Sequence, residues 1–147
     1  MVYEKNATIL GVDVQTRLQT VPVNEPELSV SFMAYSPDSR LLAVVLNKER
    51  LIRVYGVEKT QLLKKYDLRE YGGQTIEVAW SKDQGVLVSI SREGRLRTYD
   101  LDSQRLSTEI ALPLSDPKHL KISSDEQAVF VSAHSGTVLR LPCPKVE

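Results

Sequence analysis

Residues 36–57 read SPDSRLLAVVLNKERLIRVYGV, and this stretch decides the fold because the chain repeats its plan twice more. A Ser-x-Asp turn opens it, an apolar run begins three residues after the aspartate, and a second run follows a short polar turn. The aspartates of the three copies, Asp38, Asp83 and Asp125, are 45 and then 42 residues apart. A self-similar unit of this length indicates a repeat architecture.

Each copy is predicted to contain short β-strands. The segment before each turn has apolar residues at alternate positions, the period of a strand with one buried face. These apolar pairs are Met33 and Tyr35, Val78 and Trp80, and Leu120 and Ile122, and Trp80 is expected in the core. The middle runs, residues 41–47, 86–92 and 128–134, are apolar on both faces, as expected for a strand covered on both sides.

The third runs, residues 51–57, 95–101 and 137–143, alternate again. In the second copy, Leu96, Thr98 and Leu101 are interleaved with the polar residues Arg95, Arg97 and Asp100. A fourth, weaker strand is predicted at residues 62–68 and 107–112. Residues 57–71 also have helix-forming composition, so a helix is the alternative there, and the repeat register favours the strand.

Four antiparallel strands repeated every 42 to 45 residues are typical of the blades of a β-propeller. Residues 36–57 and 79–101 resemble WD40 repeats, in which a turn like Ser-Pro-Asp-Gly opens the second strand and a dipeptide like Trp-Asp closes the third. The resemblance covers nearly the whole chain and implies an all-β fold of antiparallel four-stranded blades. The copies depart from the pattern, because they close with Tyr55-Gly56, Tyr99-Asp100 and Leu141-Pro142, and no Gly-His pair precedes the first strands.

The strand count predicts one partial propeller of about three blades and part of another. Residues 1–24 match the end strands of a preceding blade, residues 28–68 and 75–112 form blades, and residues 117–144 form an incomplete blade. Because propellers close with about four to eight blades, we expect no closed ring from this chain alone. A segment of a larger propeller is favoured, either a fragment of a longer polypeptide or a subunit that another chain completes. A ring of two chains is the alternative, although one strand per chain would be left over.

Composition narrows the class of binding partner and the cellular location that we expect. The 19 Lys and Arg balance the 19 Asp and Glu, which gives no reason to expect nucleic-acid binding. The single cysteine, Cys143, excludes an internal disulfide framework and suits a reducing compartment. The longest apolar run, residues 41–46, is far shorter than the roughly 20 residues of a membrane-spanning helix, and the first residues do not resemble a signal peptide. We expect a cytoplasmic protein that binds neither nucleic acid nor membranes.

No residue pattern predicts catalysis, a metal site or a cofactor. His119 and His134 have no cysteine or carboxylate at metal-ligand spacing, and Cys143 has no histidine arranged to activate it. The strand starts nearest the expected central channel carry Ser31, Ile76 and Lys118. That set is poor for metal or acid–base chemistry, so we expect a non-enzyme. A propeller hydrolase or lactonase is the alternative from another functional class.

Six residues are predicted to bind protein, because propellers usually bind through their loops. Lys48 and Arg50 lie at one hairpin tip, Arg92 and Glu93 at the equivalent tip of the next blade, and Arg69 and Tyr71 in the loop between blades. If the register holds, these residues lie on one face. Mixed charge there suits a protein partner better than a phosphate backbone. We therefore expect a non-catalytic scaffold or interaction module, whose partner chains complete the propeller or dock on its loops.

Within the wider family, three segments resemble the WD-repeat proteins associated with cilia and flagella. They are residues 67–69, residues 78–81 and the closing stretch VFVSAHSGTVLRLPCP at 129–144. This resemblance implies axonemal protein partners and a location in the axoneme of a cilium or flagellum. A propeller subunit of another intracellular multiprotein complex is the alternative.

Overall fold

A computed structural model describes residues 29–59, 61–83 and 85–144, together with the backbone of residues 9–11 and 19–21. All regular secondary structure in these residues is β-strand, and they include no helix long and apolar enough to cross a membrane. The strands described are β1 (Ile9–Gly11), β2 (Gln19–Val21), β3 (Val30–Tyr35), β4 (Leu41–Leu46), β5 (Leu51–Gly56), β6 (Gln61–Asp67), β7 (Thr75–Trp80), β8 (Val86–Ser91), β9 (Arg95–Asp100), β10 (Arg105–Ala111), β11 (Pro117–Ile122), β12 (Ala128–Ala133) and β13 (Val138–Pro142).

The strands form antiparallel sheets in which neighbours in sequence are neighbours in space. Strands β3 to β6 make the first blade, β7 to β10 the second blade, and β11 to β13 a three-stranded third blade. Strands β1 and β2 pair separately, with Ile9 opposite Val21. The other residues of the end strands predicted at 1–24 lie outside the described part of the chain. The predicted fold class is confirmed: four-stranded antiparallel blades stand side by side, and the described sheets do not close into a ring.

The segment with helix-forming composition is a strand. Strand β6 pairs with β5 along its whole length, with Tyr66 opposite Ile52 and Lys65 opposite Arg53. This pairing satisfies the outer backbone edge of β5, which a helix could not do because its own amides and carbonyls bond internally. Tyr66 is buried against the second blade, so tertiary packing overrides the local helical preference.

The Ser-x-Asp turn has the same hydrogen bonds in all three blades. Ser36 Oγ donates to Asp38 Oδ1 at 2.8 Å and accepts from the amide of Leu41 at 2.9 Å. Asp38 Oδ1 also accepts from a second turn amide. The same bonds recur at Ser81 with Asp83 and Val86, and at Ser123 with Asp125 and Ala128. The two side chains together close the turn between first and second strands, which explains the repeated sequence.

Two apolar cores lie between the blades. Val45, Ile52 and Tyr66 of the first blade pack in one core with Val78, Trp80, Leu87 and Tyr99 of the second blade. Val88, Ile90 and Leu96 of the second blade pack in the other core with Leu120, Val129 and Val131 of the third blade. Each such side chain contributes about 1.5–3 kcal/mol by leaving water, so the cores between blades are the main source of stability. Trp80 also donates its Nε1–H to the carbonyl of Ala34 at 3.0 Å.

The first blade exposes the start of its outward face. The alternation in β3 predicted that Met33 and Tyr35 lie on a buried face, and this is wrong, because they are 50% and 52% exposed. The equivalent residues of β7, Val78 and Trp80, are 3% and 8% exposed because they pack on the first blade. No described blade packs on that side of β3, so the same sequence pattern gives a different burial.

The third blade exposes the opposite face. Phe130 and Val138 are 37% and 61% exposed, whereas the equivalent residues of the second blade, Val88 and Leu96, are 0% and 1% exposed. Val88 and Leu96 are covered by the third blade, and no described residue covers Phe130 and Val138 in the same way. On the outward face of the first blade the exposure is limited to β3, because Leu42 and Val44, directly opposite Tyr35 and Met33, are only 5% and 1% exposed and belong to a third buried cluster. The open end of the described array is therefore the third blade.

Candidate interaction surface

The loop between the first and second blades runs between two hairpin tips and bonds to both. The amide of Leu68 donates to the carbonyl of Arg50 at 2.8 Å, and the amide of Arg92 donates to the carbonyl of Gln74 at 2.8 Å. Glu93 Oε2 also accepts from the amide of Gln74 at 3.2 Å. The structure therefore brings the six predicted binding residues to one edge of these two blades, which we call the loop edge. Its residues are Lys48, Arg50, Arg69, Tyr71, Arg92 and Glu93. Their role in binding stays a prediction.

The charges on this edge are not equivalent. Arg69 is paired with Asp67, whose two carboxylate oxygens each lie 2.9 Å from Arg69 Nε. Hydrogen bonds from Arg69 lower the pKa of Asp67 to about 2. In contrast, Lys48, Arg50 and Arg92 are exposed, and their side chains make no hydrogen bond or ion pair with the described residues. The charge available to a partner at the two hairpin tips is therefore mainly positive.

Tyr71 rests on a buried arginine that the sequence analysis did not identify. Arg97 Nη2 donates to the carbonyls of Tyr71 and Gly72 at 2.6 and 2.8 Å, and Arg97 Nε donates to Glu109 Oε2 at 2.6 Å. The Arg97 guanidinium lies 5.9 Å from the centroid of the Tyr71 ring. The side chain of Arg97 is fully buried, although the alternation of β9 had grouped it with exposed Arg95. It is buried because it satisfies loop carbonyls and a carboxylate that would otherwise lack donors.

One signal in the sequence could have identified Arg97. The third strands of the first and second copies share an Arg-x-Tyr pattern, at Arg53 and Tyr55 and at Arg97 and Tyr99, and all four residues are buried. A charged residue that recurs at the centre of an apolar strand is unusual, because a charge is expensive to bury without partners. Recurrence at equivalent positions therefore indicates a structural role for the arginine.

A groove of about 710 Å³ opens beside this edge, between β6 of the first blade and β9 and β10 of the second. Its lining residues are Lys65, Tyr66, Asp67, Arg69, Glu70, Tyr71, Tyr99, Gln104, Arg105 and Leu106. The rings of Tyr66 and Tyr99 lie 5.0 Å apart and tilted by 51°, and Tyr66 Oη donates to the carbonyl of Asp100 at 3.1 Å. Burial is the main cause that raises the pKa of Tyr66 to about 12, so this aromatic lining stays neutral. Tyr66 and Tyr99 belong to the core, and the aromatic side chain of this groove that is open to a polypeptide ligand is Tyr71, which is 41% exposed.

A buried carboxylate joins β7 and β11, the first strands of the second and third blades, which we call their inner strands. Glu77 Oε2 accepts from the amide of Leu120 at 2.9 Å, and Glu77 Oε1 accepts from Lys121 Nζ at 3.1 Å. His119 Nδ1 lies 3.4 Å from Glu77 Oε2. This carboxylate therefore links two blades, and its oxygens are already occupied by donors from β11.

The chemistry-bearing residues of the described chain are dispersed. Residues 29–59, 61–83 and 85–144 hold no group of three His, Cys, Asp or Glu residues that could bind a metal ion. Burial, with a smaller effect of Glu126, raises the pKa of the Cys143 thiol, which is the opposite of nucleophile activation. Ser31, Ile76 and Lys118 each fall at a register shift of an inner strand.

Comparison with models of known protein families finds no match, and comparison with curated proteins finds no significant match. The features of the chain that bear on its function are therefore its fold, the open face of the third blade and the loop edge.

Proposed function

We propose that this protein is a non-catalytic scaffold of propeller blades that binds other protein chains. The observation that carries the proposal is the exposure of Phe130 and Val138 on the third blade, at positions that are completely buried in the second blade. Phe130 is opposite Arg140 and Val138 is opposite Ser132, so this face combines two exposed apolar side chains with polar ones, as protein-binding surfaces do. The WD40-like sequence pattern supports the same function, because such repeats imply interaction modules.

Two surfaces are available for partners on the described chain. The open face of the third blade offers apolar area, whose burial contributes roughly 25 cal/mol per Å². The loop edge offers exposed positive side chains, including Lys48 and Arg92, next to the aromatic groove. We assign tight association to the open face and orientation of the partner to the loop edge, because rim charges mainly steer encounter and fix register.

The proposal is tested by comparing two glutamate substitutions. Val138→Glu places a charge on the open face, and Leu62→Glu places the same charge on β6, where Leu62 is already exposed. We expect the wild-type chain and Leu62→Glu to form a complex of defined mass with the same partner, identified by cross-linking, and Val138→Glu to lose it. If the wild-type chain and Val138→Glu are both cooperatively folded monomers and neither binds a partner, the proposal is contradicted. Hydrolysis of a lactone panel by the purified chain would instead favour the enzyme alternative.

The identity of the partners is a finer proposal. The resemblance of residues 67–69, 78–81 and 129–144 to ciliary and flagellar WD-repeat proteins supports axonemal partners, and a cytoplasmic multiprotein complex is the second choice. Cross-linking in extracts of isolated axonemes and in cytosol from the same cells separates the two. Partners found in cytosol alone would overturn the axonemal assignment and leave the scaffold proposal intact.

A further inference from the structure

Within the described residues, the third blade has an outer strand edge that no other strand pairs with. In the first and second blades, a fourth strand covers the third strand, with Lys65 opposite Arg53 and Glu109 opposite Arg97. Strand β13 is the equivalent third strand, and among the described residues it pairs with β12 alone. An unpaired edge presents a row of backbone donors and acceptors that can template another strand.

The backbone groups that face outward can be identified from the hydrogen bonds to β12. The amide of Ala133 donates to the carbonyl of Thr137, and the amide of Cys143 donates to the carbonyl of Gln127. Because bonded and non-bonded pairs alternate along an antiparallel ladder, Val138 and Arg140 direct their amides and carbonyls away from β12. Pro142 lacks an amide and offers only its carbonyl. The edge therefore provides two complete residues and one additional acceptor.

The second blade shows how a strand fills this edge. Leu96 and Thr98 occupy the positions of Val138 and Arg140, and they pair with Ile110 and Thr108 of the fourth strand β10. Ile110 is itself 39% exposed, whereas Tyr66, its equivalent on β6, is 4% exposed. Tyr66 is in the core that the first blade shares with the second blade. The greater exposure of Ile110 accords with a third blade whose described part has three strands.

The side chains of β13 define the chemistry of the incoming strand. Val138 and Arg140 lie on the open face and are exposed, whereas Leu139 lies on the opposite face and packs on the second core. Residues directly opposite each other across a sheet interact through their side chains. The chain already contains one such charge pair between third and fourth strands, Arg97 with Glu109 at 2.6 Å. An acidic residue is therefore the complementary partner of Arg140, and aliphatic residues complement Val138 and Leu139.

We propose that the outer edge of β13 is a strand-addition site that binds an extended segment of a partner protein, with an acidic residue opposite Arg140 and aliphatic residues opposite Leu139 and Val138. In the antiparallel direction the segment reads acidic, aliphatic, aliphatic from its N-terminal end. This inference rests on the proposed scaffold function and specifies how the partner engages the third blade. Its specificity comes from the side-chain positions and its affinity largely from main-chain hydrogen bonds.

The probe is a synthetic nine-residue peptide derived from the chain's own fourth strand. It has the sequence of residues 104–112 with T108E and E109L, which place Glu opposite Arg140 and Leu opposite Leu139. The control peptide carries T108K instead of T108E. We expect the acidic peptide to bind the whole chain about fivefold more tightly than the basic one, as measured by fluorescence anisotropy. The reason is that Glu opposite Arg140 is attracted to it across the strand pair, whereas Lys at the same position is repelled.

Two variants of the protein locate the binding. Arg140→Glu is expected to reverse the preference between the two peptides. Val138→Pro removes an outward amide without disturbing the bonds to β12, and we expect it to abolish binding of both peptides. Hydrogen exchange is expected to slow at the amides of Val138 and Arg140 when the acidic peptide is bound. If Val138→Pro does not fold, the charge reversal and the exchange data still decide the question.

Each of the following outcomes would overturn the proposal. If Arg140→Glu keeps the preference for the acidic peptide, the residue opposite Arg140 does not pair with it. If the peptide slows hydrogen exchange only at the loop edge or in the groove, the binding site lies there. If the chain self-associates through β13, the occupant is a second copy. Failure of peptide binding while Val138→Glu still abolishes the partner complex would reject strand addition and leave the scaffold function standing. If Val138→Glu keeps every complex that the wild-type chain forms, the scaffold function itself is rejected.

Discussion

The backbone amide of Leu120 donates a hydrogen bond to Oε2 of Glu77 across 2.9 Å, and this bond joins the inner strands of two adjacent blades. Trp80 Nε1 makes the corresponding link to the first blade through the carbonyl of Ala34. Each pair of neighbouring blades is therefore tied by a directional bond as well as an apolar core. In repeat architectures stability is a sum of unit terms and interface terms, so these bonds contribute to cooperativity between blades.

Removing the Glu77 carboxylate should weaken the interface between the second and third blades. We expect Glu77→Ala to lower the free energy of unfolding by about 2 kcal/mol, because a buried amide loses its acceptor and Lys121 loses its counterion. Glu77→Gln should cost less, since an amide oxygen can still accept from Leu120. Urea unfolding monitored by tryptophan fluorescence measures both, and Glu58→Ala on an exposed turn is the control. Equal effects of Glu77→Ala and Glu58→Ala would contradict a structural role for the bond.

Arg97 should hold the loop between the first and second blades. Replacing it in Arg97→Met keeps the apolar stem but leaves two loop carbonyls and Glu109 without their donor, and we expect a loss of about 3 kcal/mol. Hydrogen exchange should accelerate in residues 69–74, which include Tyr71. Arg95→Met is the matched control, because Arg95 is exposed and lies 3.7 Å from the same carboxylate, farther than Arg97. This substitution should lower the free energy of unfolding by less than about 0.5 kcal/mol. If residues 69–74 exchange at the same rate in the two variants, Arg97 does not hold the loop.

The repeat made the strands and turns predictable from sequence because the same local bonds recur in each copy. Ser36 and Asp38, with their equivalents, form hydrogen bonds within six residues, so the pattern needs no tertiary information. The hairpin tips could be placed on one edge for the same reason, since strand direction alternates regularly.

Burial at the ends of the array could not be predicted from the repeat. Tyr35 and Trp80 occupy equivalent positions in identical patterns, and only the neighbouring blade decides which of them is buried. Arg97 was missed for a related reason: its partners, Tyr71, Gly72 and Glu109, come from another loop and another strand. Alternation describes which side of a strand a residue faces, and it does not describe what lies on that side.

The turn before β8 should make stability depend on acid pH. Hydrogen bonds from the Ser81 hydroxyl and the Gly85 amide lower the pKa of Asp83. Since the pKa is lower in the folded state, this stability is present above the ordinary pKa near 4 and is lost as the pH falls through the folded value. We expect Asp83→Asn and Ser81→Ala to reduce the difference in free energy of unfolding between pH 7 and pH 3. An undiminished difference in both variants would mean that other carboxylates cause the acid sensitivity.

Gly94 and Gly136 occupy equivalent hairpin tips and should respond differently to alanine. Both have positive φ, +79° and +85°, so either substitution strains the backbone by about 1–2 kcal/mol. A Cβ on Gly94 would also lie 2.7 Å from the carbonyl oxygen of Leu114, whereas a Cβ on Gly136 would meet nothing within 4 Å.

We therefore expect Gly94→Ala to cost roughly twice as much as Gly136→Ala in thermal or urea unfolding, because the loop after β10 must move away from the tip. The amide of Leu112 bonds to the carbonyl of Gly94 at 2.8 Å, so that movement also stretches a bond between tip and loop. Equal costs would show that the loop yields freely. In that case the loop at Leu112 and Leu114 would not hold the hairpin tip that carries Arg92 and Glu93 in a fixed arrangement for a partner.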